Sequence, residues 1–311
     1  MAGAPRTAIQ LYSLRSHPES LPDIVRRVAT RGYDGVEFAD RFHREPVEDI
    51  AAALADTGIE PVAAHASLSA IEDALGGESD LLERCESVGC DRLVVPHLNS
   101  THFRTRESLR ALADRLTDAA AALDERGLEL GLHNDRSWLR PLLPDGVGTV
   151  LDATPVPELA ADYAQEAGRR FQARHVGPVH SQTPLWHLIA RTEPDAIGFE
   201  VEVAELRAGG VDPAEALSVF DGRAEMLHLR DVVPGSGFDD YEHVPHGEGV
   251  LDMERILAAA DDDGVEWLVY ENELAMDDEA KIDAGRRFFD RVGDRQATTT
   301  EPAPTVHREA A

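Results

Sequence analysis

The chain has 311 residues and is 42% hydrophobic, which suits one large globular domain or two ordinary ones. Its 59 acidic residues outnumber 30 Lys and Arg, and the resulting formal net charge of −29 disfavours nucleic acid as a partner, because phosphate binding needs cationic surface. No apolar run reaches the length of a membrane span, and no signal peptide is visible, so we expect a cytoplasmic protein with no membrane partner.

Eight short runs rich in apolar and β-branched residues alternate with helix-like segments. The predicted strands are residues 7–14, 34–39, 61–68, 91–100, 128–135, 196–203, 225–232 and 266–274. Alternation of strands and helices implies a parallel sheet, and eight such units predict a single α/β domain, a (β/α)₈ TIM barrel over residues 1–292. A doubly wound open sheet is the alternative, but no glycine-rich phosphate turn follows the first strand.

Two segments interrupt this alternation. Residues 140–183 are rich in Pro and Gly and are predicted to form an enlarged loop after the fifth strand. Residues 293–311 lack apolar periodicity and are predicted to be a disordered C-terminal tail.

The acidic residues are scattered over helix faces, and Lys281 is the only lysine. A dispersed acidic surface nearly free of lysine is typical of a protein from a salt-filled cytoplasm, where bulk ions screen the repulsion between carboxylates. The sequence therefore predicts a halophilic origin.

Polar side chains recur where the predicted strands end. They are Gln10, Tyr12, Glu37, His65, His97, His133, Glu202, His228 and Glu271. In a TIM barrel the chemistry lies at the C-terminal ends of the strands, so these side chains converge on one small volume. Buried carboxylates must be neutralised, and a divalent cation such as Mn²⁺, Zn²⁺, Co²⁺ or Mg²⁺ is the economical solution for His and Glu ligands.

Several short motifs resemble those of the xylose isomerase-like TIM barrels, in the sugar phosphate isomerase/epimerase group. They are DGVEFA, AAHASL, CDRLVVPHL, LHLRD, HGEGVLDM and WLVYENE, each on its expected strand. The resemblance covers residues 7 to about 290 apart from the 140–183 segment. By position, it implies one divalent metal held by side chains from strands five to eight, namely His133, Glu202, His228 and Glu271.

The resemblance also implies a function, a metal-dependent isomerase, epimerase or dehydratase that acts on a sugar or polyol-derived carbonyl compound through an enediolate. Glu271 or Glu202 is the expected proton-transfer carboxylate, and His65 is expected to act beside it. The expected substrate contacts are Tyr12, Glu37, His97, Asn134 and Arg230. We therefore expect a small sugar-like substrate as the partner, and a homo-oligomer is left open.

Three of these residues have alternatives. Asn134 could contact a metal ligand and not the substrate. His97 could pack under the barrel rim, and Glu37 could pair with an arginine. Asp231 is the nearest candidate in sequence to accept a hydrogen bond from a metal-bound His228.

Three departures from the family pattern matter. Strand five ends in His133-Asn134-Asp135, where relatives have a Glu or a His-Asn-His run followed by another Glu. Strand six has Glu202 for an Asp, and Glu205 stands where relatives have an aromatic residue or histidine. Without a glutamate on strand five, isomerisation or dehydration fits better than symmetrical epimerisation. The alternative of another class is a degenerate, non-catalytic barrel that binds a sugar-like ligand or a protein partner.

Overall fold

Eight parallel strands close into a barrel in a computed structural model that describes residues 5–103, 105–140, 142, 183–235 and 241–299. The barrel strands are β1 Arg6–Gln10, β2 Gly35–Phe38, β3 Glu60–His65, β4 Arg92–Val95, β5 Glu129–His133, β6 Ile197–Glu202, β7 Ala224–Leu229 and β10 Trp267–Tyr270. They follow chain order around the barrel, and β10 closes it against β1 with Arg6 opposite Trp267. All eight predicted strands are present, and the predicted TIM barrel is confirmed.

Helices follow most barrel strands and pack against them and each other. They are α1 Leu21–Thr30, α2 Val47–Thr57, α3 Leu68–Leu75, α4 Leu81–Val88, α5 Arg106–Asp124, α6 Pro184–Arg191, α7 Val203–Ala208, α8 Pro213–Leu217, α9 Met253–Asp263 and α10 Asp278–Thr299. Their starts are set locally. Ser20, Ser67 and Thr105 each accept the backbone N–H three residues later, which satisfies a donor that the first helical turn leaves unpaired.

The barrel interior holds an apolar cluster and, nearer the mouth, a layer of polar side chains. A small cluster that includes Ala8, Val94, Met226 and Val269 fills the lower interior, separate from the large core between strands and helices. Because strand side chains alternate between two faces, the residue two positions further along also points inward. Met226 is thus followed on the same face by His228, and the polar layer lies directly above the apolar plug.

A short antiparallel hairpin, β8 Asp231–Pro234 and β9 Tyr241–Val244, rises from the end of β7. The predicted strand 225–232 therefore ends early, at Leu229. The buried Asp231 carboxylate accepts backbone N–H groups from Val232, Gly247, Gly249 and Leu251, which ties the hairpin to the segment before α9. A Cβ at Gly249 would lie 1.9 Å from Asp231 Oδ1, so this close approach requires glycine.

The last helix, α10, is fixed to the barrel by the buried Lys281. Its Nζ donates to the carbonyl of Ser13 at 2.7 Å and lies 3.0 Å from Asp278 Oδ1. Because α10 continues to Thr299, residues 293–299 are helical and the predicted tail 293–311 begins within a helix. Residues 300–311, and nearly all of the predicted 140–183 loop, lie outside the described residues. Among the described helices, none combines the length and the apolar character needed to cross a membrane.

Candidate active site at the mouth of the barrel

Two overlapping groups of histidines and glutamates occupy the polar layer. We call Glu37, His65, Glu200 and His228 the floor set, and His133, Glu202, His228 and Glu271 the rim set. Within each set, one ligand atom from every residue lies within 4.8 Å of the others. The rim set contains the four residues that the sequence predicted as metal ligands, so the structure brings these residues together.

The floor set forms a closed ring in which carboxylates and imidazoles alternate. Glu37 contacts both histidines, with Oε1 3.0 Å from His65 Nε2 and Oε2 2.7 Å from His228 Nε2. Glu200 contacts the same two nitrogens, each at 2.9 Å. Gln10 Nε2 donates to Glu37 Oε2 at 2.7 Å. Both carboxylates are fully buried, at 0% and 1% exposure.

The rim set has a cation of its own. Arg230 Nε donates to Glu202 Oε2 at 2.5 Å and lies 3.5 Å from Glu271 Oε2, and its Nη1 donates to Glu273 at 2.9 Å. The other carboxylate oxygen of Glu202 accepts the backbone N–H of Ala204 at the start of α7. Glu271 Oε2 lies 2.8 Å from His228 Nδ1, so His228 joins the two sets through its two nitrogens.

Burial and neighbouring charges set the ionisation of these groups. Burial lowers the pKa of His133 to about 3, so this imidazole is neutral near pH 7. Burial opposes a charge on His65, but Glu37 and Glu200 outweigh it and raise the pKa of His65 to about 10. Burial likewise opposes ionisation of Glu271, yet Arg230 and His228 hold its pKa well below the usual range.

A cavity of about 730 Å³ opens above the polar layer, a size suited to a small molecule. Its wall includes the predicted site residues Tyr12, His65, His97, His133, Arg230 and Glu271, together with Glu273. His97 thus has surface on the cavity. Glu37, Asn134 and Glu202 do not line it.

Two of the predicted substrate contacts are buried and do not line the cavity. Glu37 is 0% exposed and pairs with His65 and His228, and no arginine of the described residues is within ion-pair distance of its carboxylate. Asn134 is also buried and links β5 to β6, because its Oδ1 accepts the N–H of Glu202 at 2.9 Å and its Nδ2 donates to the carbonyl of Glu202 at 3.3 Å.

The acceptor expected for His228 is also different. Asp231 is engaged with backbone N–H groups, and the acceptors that His228 has are Glu37, Glu200 and Glu271. Glu200 was missed from the sequence. It lies two residues before Glu202 on the same face of β6, and this spacing is the signal that could have found it.

The two sets differ in how well they fit a divalent metal. In the rim set, the buried Nδ1 of His133 has no hydrogen-bond partner, as expected of a free ligand atom. However, both oxygens of Glu202 are engaged, and the Arg230 guanidinium already supplies a positive charge. A metal would fit there only if Arg230 moved away. The floor set has two buried carboxylate oxygens without a hydrogen-bond partner and, among the described residues, no arginine or lysine in contact.

The chain matches a family model described as xylose isomerase-like TIM barrel over residues 25–141. The resemblance predicted from the sequence motifs is thereby confirmed over these residues. A comparison with curated proteins finds no match.

Several solved structures have the same fold. A sugar phosphate isomerase/epimerase from Parabacteroides distasonis has a TM-score of 0.68 and 16% identity over 92% of this chain and 98% of its own. An L-ribulose 3-epimerase has a TM-score of 0.63 and 13% identity over 98% of this chain and 100% of its own. The IOLI protein with a bound zinc atom has a TM-score of 0.64 and 14% identity over 93% of this chain and 98% of its own. At these identities the similarity establishes the fold.

Proposed function

We propose that the chain is a metal-dependent isomerase, epimerase or dehydratase that moves a carbon-bound proton of a sugar or polyol-derived carbonyl compound through an enediolate. The observation that supports it most directly is the position of Glu271, a buried carboxylate on the cavity wall beside the cationic Arg230. A base and a positive charge at one wall suit proton removal from carbon, because negative charge then develops on the adjacent substrate oxygen.

Four residues of the wall have a part in the proton transfer. Glu271 takes the carbon-bound proton, and Arg230 stabilises the enediolate oxygen. His65 and His133 line the same cavity from β3 and β5, each three strands away from β10 around the barrel. They are placed to return a proton or hold a hydroxyl. Glu202 does not line the cavity, so we assign its expected share of proton transfer to Glu271.

The remaining partners follow from the same wall. Tyr12 and His97 line the cavity and are proposed to contact substrate hydroxyls. A bound divalent ion would polarise the substrate carbonyl and the neighbouring hydroxyl. A symmetrical epimerase would use two opposed carboxylates for its two proton transfers, but β5 supplies a neutral histidine at this position. A reaction whose two proton transfers use different groups, as in isomerisation or dehydration, is therefore favoured. The cytoplasmic location, the halophilic origin and a homo-oligomer stay predictions.

Solvent-deuterium incorporation tests the proposal. The full chain with added Mn²⁺ or Co²⁺, in concentrated KCl, is incubated in deuterated water with a panel of ketoses, aldoses and inosose-type compounds, and the products are examined by NMR. We expect deuterium at carbon next to a carbonyl for at least one class. Glu271→Gln keeps the shape of the side chain but removes the base, so the exchange rate should fall by about 10²-fold or more.

The matched control is Glu273→Gln, which lies on the same wall two residues later and has no assigned part in proton transfer. It should lower the rate far less than Glu271→Gln. If no compound exchanges, or if Glu271→Gln exchanges as fast as the wild type, the enzymatic proposal fails. Ligand binding without exchange would then identify the degenerate barrel, an outcome that the Arg230–Glu202 pair within the predicted metal set would explain.

A further inference from the structure

The floor set has fewer hydrogens than its contacts require. Four nitrogen–oxygen contacts of 2.7–3.0 Å join the Nε2 atoms of His65 and His228 to the carboxylates of Glu37 and Glu200. An imidazole nitrogen carries at most one hydrogen, so two hydrogens serve four contacts. Accordingly, Glu37 Oε1 and Glu200 Oε1 are buried without a hydrogen-bond partner. Buried carboxylate oxygens without a hydrogen-bond partner are costly, and a metal ion shared by the two carboxylates would satisfy the oxygens that the two imidazole hydrogens leave unpaired.

We propose that the floor set binds one divalent transition-metal ion, through one carboxylate oxygen each of Glu37 and Glu200 and through Nε2 of His65 and His228. Two ligand atoms about 2.1 Å from a metal, at right angles to each other, lie about 3 Å apart. The shortest contacts between neighbouring members of the ring, which use both oxygens of each carboxylate, are 2.7–3.0 Å, and one ligand atom from each of the four residues lies within 4.8 Å of the others. Two imidazoles with two carboxylates suit Mn²⁺, Co²⁺ or Zn²⁺ better than Ca²⁺ or Mg²⁺, which prefer oxygen ligands.

The surroundings of the ring are arranged for such an ion. His228 can donate Nδ1–H to Glu271 at 2.8 Å, which leaves its Nε2 free of hydrogen and directed into the floor set. Gln10 donates to Glu37 and holds that carboxylate in place. Two carboxylates with two neutral imidazoles carry a charge of −2, which one divalent ion balances.

The site differs from the one that the family resemblance implies. It draws on β2, β3, β6 and β7, whereas the rim set draws on β5, β6, β7 and β10. The two sites share His228 through different nitrogens. The rim set already has the positive charge of Arg230, so the ion belongs in the floor set. This inference does not depend on the proposed reaction, since ion binding is measured without substrate.

Cobalt binding tests the site. Metal-free full-length protein in concentrated KCl is titrated with Co²⁺, the d–d absorption bands are recorded, and bound cobalt is counted by elemental analysis. We expect one equivalent with bands typical of mixed nitrogen and oxygen ligation. His65→Asn and Glu200→Gln remove floor-set ligands and should weaken binding by about 10²-fold or more, beyond the loss that a hydrogen-bonding neighbour of a ligand causes.

The matched rim-set variant is His133→Gln, which should bind Co²⁺ with nearly unchanged affinity and bands. Circular dichroism checks that each variant is folded. If the more buried Glu200→Gln variant does not fold, His65→Asn, at the cavity surface, is sufficient to test the site. Loss of Co²⁺ in His133→Gln with retention in His65→Asn would place the ion in the rim set. If the wild type does not bind Co²⁺, the floor set is held together only by hydrogen bonds between its imidazoles and carboxylates. Either result overturns the inference, whereas failed deuterium exchange with intact Co²⁺ binding overturns only the proposed reaction.

Discussion

Replacement of Asp231 by Asn should destabilise the barrel strongly, although the side chain keeps its size. In the native chain, Oδ2 accepts the N–H groups of Gly247 and Gly249 at 2.9 and 3.0 Å, and Oδ1 accepts those of Val232 and Leu251 at 2.9 and 3.3 Å. An amide has one carbonyl oxygen, so one pair of these donors would face an NH₂ group. Two buried donors without an acceptor cost about 1–3 kcal/mol each, and the other pair loses its charge assistance.

The expected loss is therefore about 4 kcal/mol of unfolding free energy, a large part of the 5–15 kcal/mol typical of a domain. Guanidinium chloride unfolding, followed by circular dichroism and tryptophan fluorescence, measures it. Asp261→Asn is the control, because Asp261 is exposed on α9 and removal of its charge tests the general effect of reducing the net charge. If the two variants unfold at the same denaturant concentration, the reasoning about the four N–H groups is wrong.

Two further predictions concern buried polar groups away from the cavity. Arg223 donates to the carbonyl of Ile197 and to Thr192 Oγ1 at 2.7–3.0 Å, so Arg223→Lys, which cannot reach both partners, should lower the unfolding free energy by about 2–4 kcal/mol in the same assay; a change below 0.5 kcal/mol would contradict this. The second concerns acid sensitivity. Burial lowers the pKa of His246 to about 4 and outweighs the hydrogen bond that Nε2–H donates to the carbonyl of Leu229, which raises the pKa. The buried Nδ1 has no hydrogen-bond partner that would accept from an added proton. The folded-state pKa lies below the unfolded value of about 6.5, so this contribution is complete above pH 6.5 and is lost as the pH falls towards 4. Between those limits His246→Gln should lose about 2 kcal/mol less stability than the wild type, as measured by unfolding at pH 7 and pH 4.5, and equal losses would refute the assignment.

The fold could be predicted because each strand carries its own signal. An apolar run such as the one that becomes β7 has a polar residue near its end, and the alternation that buries Met226 also directs His228 inward. The ends of elements were less predictable, because they depend on contacts that are distant in the chain. The run 225–232 reads as one strand, but Asp231 is held by Gly247 and Gly249, which redirects the chain into the hairpin.

The members of the site could be predicted better than their contacts. Periodicity places both Glu200 and Glu202 on the inner face of β6, but it cannot tell which one meets His228 and which meets Arg230. Which glutamate meets which partner depends on the register of β6 against β7, and this register shifts between Phe199 and Glu200. A local pattern does not contain such a shift. The clearest contact that the sequence did not predict is the ion pair between Arg230 and Glu202, which makes the rim set a poorer fit for a metal.

Lys281, the only lysine of the chain, is buried. Its ammonium group is enclosed between the carbonyl of Ser13 and the carboxylate of Asp278, with 6% of the residue exposed. A compact ammonium fits this space, where the broader planar fork of arginine would need more room. The one lysine of the chain is therefore enclosed, and its ammonium group is kept from the surface. Because the only lysine is buried, reagents that modify amines will find no accessible side chain among the residues that the structure describes.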